Sequence, residues 1–131
     1  MTEHADHEPI SEALIEAVVR TFYRRVRADT ALGPIFERVI GADWEPHLQV
    51  MFDFWSSLLL RSGRYGGQPM RKHMPLKDVT PEHFGRWLEL FRATCREMCT
   101  DAQALAFIDK AERIAKSFQL AMFYDPAVDR R

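Results

Sequence analysis

Apolar residues in this chain recur three and four positions apart in long runs, and nowhere do they show the sustained alternation of a half-buried strand. The first run holds Ile15, Val18, Val19, Phe22 and Val26, with Tyr23 beside it. A second places Trp44, His47, Met51, Phe54, Trp55, Leu58 and Leu59 on one broad face. A third runs through Phe84, Trp87, Leu88, Phe91, Cys95 and Met98, and a fourth through Leu105, Ile108, Ala111, Ala115, Phe118 and Met122. Stripes of this period are buried by packing helix on helix, so the fold class is all-α.

Punctuation between the runs sets the expected boundaries. Ser11 caps the first helix, and Gly33-Pro34 ends it, because proline cannot continue a helix. A short link passes through Phe36 and Ile40 to a break at Gly41, and Asp43 caps the second helix. Pro46 is compatible with that start, since first-turn N–H groups have no helical acceptor. Gly63, Gly66, Gly67 and Pro69 mark a loop from Ser62 to Pro69. Between Pro69 and Pro75 there is room for a turn or two of helix carrying Met70, Arg71, Lys72, His73 and Met74. Thr80-Pro81 opens the third long helix, Asp101 caps the last, and Asp125-Pro126 stops it. Residues 1–10 read as a frayed tail, 11–124 as the folded domain and 125–131 as a loose end. The stretch from Ser62 to Thr80 is long and irregular for a helical bundle, and a bound cofactor would hold it.

At 131 residues the chain suits one domain with a real core. A formal charge of −1 gives no electrostatic footprint for nucleic acid. No segment is long and apolar enough to span a membrane, and the acidic start lacks a secretory pattern. Cys95 and Cys99 lie four apart on one helix face, poorly placed for a disulfide, so they read as buried thiols of a reduced, cytoplasmic protein. The many Phe, Trp and Met residues suit either a bulky core or a wall around a flat apolar ligand.

No phosphate loop, nucleophile elbow or zinc motif is present. Of the five histidines, His4 and His7 belong to the tail, and His83 reads as exposed in a helix first turn. His47 stands on an apolar face, as a core histidine or a ligand; His73 sits in the short proline-flanked segment. Tyr23 and Trp87 adjoin apolar stripes on other helices and, if buried, need partners for their O–H and N–H. Converging donors with one imidazole base suit an iron porphyrin and a polar diatomic ligand.

Four stretches stand in a telling order. They are Phe22-Tyr23-Arg24-Arg25-Val26-Arg27 leading to Leu32-Gly33-Pro34-Ile35-Phe36; Trp44-Glu45-Pro46-His47 followed by Phe54-Trp55; Tyr65-Gly66-Gly67-Gln68-Pro69 running into Lys72-His73; and Phe84-Gly85-Arg86-Trp87-Leu88 with Phe91. Over 11–124 the chain thereby resembles the group three truncated haemoglobins, bacterial globins with a two-over-two helical sandwich. The resemblance implies haem b (iron protoporphyrin IX), with His73 as the metal ligand. It implies Tyr23, His47 and Trp87 as the distal groups around a bound gas, and Phe36, Met51 and Phe54 as walls. Tyr65, Arg71 and Lys72 are candidates for the propionates, set against ordinary solvated polarity. Pro46, directly before His47, is the position where the start of that helix would be altered. The implied function is reversible binding of O2, NO or CO with slow release, by a monomer or weak dimer. A peroxidase or nitric oxide dioxygenase served by a separate reductase is the alternative on the same scaffold. A cofactor-free helical interaction module is a further one.

Overall fold

The computed structural model describes residues 9–65 and 79–123. Among them are five helices and no strand: α1 (Glu12–Ala28), α2 (Leu32–Ile40), α3 (Trp44–Leu60), α4 (Pro81–Met98) and α5 (Asp101–Phe123). Residues 1–8 of the tail expected at 1–10, the segment 66–78 and the end from 124 onward lie outside the described residues, as does the Met122 side chain.

Helix α1 begins as its sequence predicts, with Ser11 Oγ accepting the Leu14 N–H at 3.1 Å. The whole predicted stripe is buried, and Tyr23 with it. Its end differs from expectation. The helix stops at Ala28, and Asp29 accepts the Ala31 and Leu32 N–H groups at 3.0 and 2.8 Å. The expected link is thus a nine-residue helix, α2, with Gly33 and Pro34 inside its first turn. Proline is tolerated there for the reason that admits Pro46 in α3: no helical acceptor awaits its missing N–H. Gly33 is required by crowding, because a Cβ at this position would lie 2.6 Å from the Arg27 carbonyl oxygen.

In α3 the start is regular despite Pro46, and the His47 N–H donates to the Asp43 carbonyl at 3.0 Å. Burial extends beyond the predicted face to Phe52 and Ser56. Ser56 Oγ donates to Glu12 at 2.7 Å and lies 2.8 Å from Ser62 Oγ. Arg64 binds the Glu12 carboxylate with two nitrogens and Asp53 with a third. The described beginning of the expected loop is therefore pinned to α1 and α3 by protein groups.

Thr80 caps α4 with His83 as its reciprocal partner. Helix α5 is capped one residue before the expected Asp101, by Thr100 and Gln103, each accepting the other's backbone N–H. Leu105, expected in its stripe, is 69% exposed, whereas Phe107 is fully buried. The buried face is centred on Ala104, Phe107, Ile108, Ala111 and Ala115.

Helix α1 packs on α3, and α4 on α5; the two pairs meet through α1 with α4 and α3 with α5, with α2 against α1 and α4. This is a two-over-two helical sandwich. At its centre Phe91 stacks between Trp55 (5.2 Å, 16°) and Trp87 (5.8 Å, 5°), with Phe22 edge-on at 5.0 Å. Such ring pairs add about 0.5–1.5 kcal/mol each beyond their buried area. No described helix is long and apolar enough to cross a membrane. Cys95 is buried and Cys99 half-buried, both as free thiols. Its hydrogen bond with Cys99 and its burial push the Cys95 thiol pKa upward, which suits an inert residue.

Candidate functional site

A cavity opens where the helices converge, enclosing about 640 Å³ of atom-free space when its open mouth is included. Its wall takes Tyr23 from α1, Leu32, Ile35 and Phe36 from α2, and Met51, Phe54 and Trp55 from α3. Val79 and, from α4, His83, Phe84 and Trp87 continue it, and Ile114 and Phe118 of α5 close it. Among these lining residues Tyr23, Trp55, His83 and Trp87 carry an O–H or N–H group, and the rest are apolar. An aromatic, nearly apolar lining suits a flat apolar molecule carrying few polar groups.

Tyr23 is the most constrained of these residues. It is 3% exposed, and the rings of Phe22, Phe36, Trp44 and His47 surround it at 5.0, 6.3, 5.9 and 5.2 Å. Burial pushes its hydroxyl pKa upward, so it stays a protonated donor at neutral pH. Trp87 reaches the same wall from α4, held edge-on to Phe22 at 5.4 Å. His47 is half-buried and edge-on to Tyr23 and Trp44. It stands behind Tyr23 and is not among the residues of the described wall.

Phe36, Met51 and Phe54 all line the cavity. Tyr65 packs edge-on against Phe54 at 5.3 Å and donates its backbone N–H to Ser57 at 2.9 Å, outside the described wall. Arg71, Lys72 and His73 lie outside the described residues.

His83 is a correction. Read from sequence as exposed, it is half-buried and lines the cavity. Its Nδ1 accepts the Thr80 backbone N–H at 2.9 Å, so the neutral ring holds its proton on Nε2. The signal was its spacing: His83 lies four residues before Trp87, on the same helix face. Leu32, Ile35, Val79 and Ile114 were also not foreseen, and Trp55, Phe84 and Phe118 were foreseen only as core.

Two stacked helix pairs around an apolar, aromatic-walled chamber with a buried tyrosine define a globin. The bacterial-like globin family model matches residues 10–122. The chain is 34% identical over 119 residues to the group 3 truncated hemoglobin ctb of Campylobacter jejuni, a match covering 88% of this chain and 94% of that protein. It is also similar to the crystal structure of the group III truncated hemoglobin from Campylobacter jejuni. There the TM-score is 0.84 at 33% identity, covering 89% of this chain and 94% of the other. The chain belongs to the bacterial-like globin family and, within it, to the group 3 truncated haemoglobins. Membership implies haem binding, and the chamber's walls fit such a group.

Proposed function

We propose that this globin holds haem b in the chamber and uses it to bind O2, NO or CO reversibly, with slow release. The observation that carries this reading is the buried Tyr23 on the wall of a nearly apolar cavity. His73 would hold the iron through one imidazole nitrogen, and Phe36, Met51 and Phe54 would flank the macrocycle. Tyr65, Arg71 and Lys72 would meet the propionates. Haem supplies the iron that captures the gas.

The chain's own groups decide how long the gas stays. Tyr23 and Trp87 present O–H and N–H donors that need not reorganise, because packed rings already fix them. With haem in place, the Tyr23 O–H and the Trp87 N–H would both donate to a polar diatomic ligand. The apolar wall excludes competing water, which strengthens each bond. His47 supports Tyr23 from behind and would add a third polar group by turning inward.

Haem titration with absorbance detection tests the reading. The expected result is stoichiometric uptake with a Soret band, and a changed or lost band in His73→Ala. A parent protein that takes up no haem, or a His73→Ala variant with an unaltered spectrum, would refute it.

A further inference from the structure

We propose that Trp44 is the leaf of an opening between α1 and α3, latched by Arg27 and Glu37, through which small gases reach Tyr23. The inference rests on the gas-binding reading above. Tyr23 borders two spaces: the inner chamber and an outer groove walled by Arg20, Arg24, Arg27, Glu37 and Trp44 among others. Trp44 lines the groove and not the chamber, and it lies against both Tyr23 and His47. Two aromatic side chains are thus the partition between bulk solvent and the chamber.

The partition is fastened from outside. The Trp44 indole N–H donates to Glu37 Oε1 at 3.0 Å, and Arg27 Nε donates to that same oxygen at 3.0 Å. The Arg27 guanidinium also lies over the Trp44 ring, 4.6 Å from its centroid. One carboxylate therefore holds both the leaf and the cation pressing on it. The fastening is weak, because the Arg27 and Glu37 side chains are 49% and 44% exposed and water competes for both. A buried ring held by an exposed ion pair has the properties of a gate: closed at rest, opened at modest cost. The ligand class is a small neutral gas, since charged species would meet the apolar wall beyond Tyr23.

Carbon monoxide association after flash photolysis of the haem-loaded protein tests the latch. In Glu37→Ala, association should rise roughly fivefold, equivalent to about 1 kcal/mol of barrier. Glu37→Gln keeps an acceptor for Trp44 and should rise less. Added salt should speed the parent and leave Glu37→Ala unmoved. A second readout needs no haem. With 5-fluorotryptophan in place of the three tryptophans, the Trp44 fluorine signal alone should shift or broaden in Glu37→Ala. Unchanged rates in both variants, or a fluorine signal that ignores Glu37, would overturn the latch alone. A parent that takes up haem but binds no carbon monoxide would overturn the gas-binding reading, and the latch with it.

Discussion

The Asp29 carboxylate receives the Arg86 Nε at 2.7 and 2.8 Å, joining residues 57 apart in the chain. Asp29 is the corner between α1 and α2, and Arg86 directly precedes Trp87 on α4. The Asp29 side chain is 7% exposed, and the Arg86 hydrogen bond, with the Ala31 and Leu32 N–H groups, holds its pKa below the usual carboxylate range. One acid thus caps a helix and moors the helix that carries a cavity donor. Asp29→Ala removes the cap and a charged hydrogen bond together. It should cost about 2 kcal/mol, read from urea unfolding midpoints.

Gly33→Ala probes the same corner by crowding. The neighbour that an added Cβ would meet is backbone, which cannot rotate aside, so α1 and α2 must part. A loss of about 1–3 kcal/mol is expected, the usual cost of overfilling a tight contact. A melting temperature equal to the parent's would contradict the close approach.

Legibility from sequence followed the physics of each signal. The α1 stripe was readable because five apolar residues at helical spacing admit one face only. The Gly33-Pro34 pair misled because the same two residues serve a helix stop and a helix first turn; the choice was made by Asp29, a corner acid whose partner Arg86 is remote in sequence. Leu105 and Phe107 exchanged places because a stripe through Ile108 and Ala111 can be drawn through either neighbour, and only packing against Trp55 selects Phe107. At the site, Tyr23 and Trp87 were accessible through residue type and resemblance. His83 was not, because its part depends on a cap with Thr80 and on which way the start of α4 faces.

Acid should unfold the protein through a definable window. Hydrogen bonds from Arg64 and then Ser56 lower the Glu12 pKa from 4.5 to about 2, and Arg20 and Gln49 lower Glu45 to about 2. Their pKa values are depressed in the folded state, so the stability they contribute is complete above about pH 4.5. Below that the unfolded chain takes up protons that the folded one refuses, and the contribution is lost as pH falls toward 2. Urea midpoints should slope downward across this window, less steeply in Glu12→Gln. A variant with the parent's slope would show that Glu12 has no part in it.

Tyr23→Phe removes one donor and keeps the ring contacts. Oxygen should leave the haem-loaded variant roughly tenfold faster, the factor that about 1.4 kcal/mol provides. Carbon monoxide, a poorer acceptor, should leave at nearly the parent rate. Stopped-flow displacement measures both, and equal acceleration of the two gases would assign Tyr23 a steric role.

Arg64, clasped by Glu12 and Asp53, and Thr80, clasped by His83, stand at the two banks of the stretch numbered 66–78, which includes position 73. Each bank is held by the protein's own side chains. Folding therefore meets part of the entropy of closing that stretch of chain. On the proposed reading His73 would be presented to the iron at raised local concentration, so haem uptake should be rapid and its reversal slow.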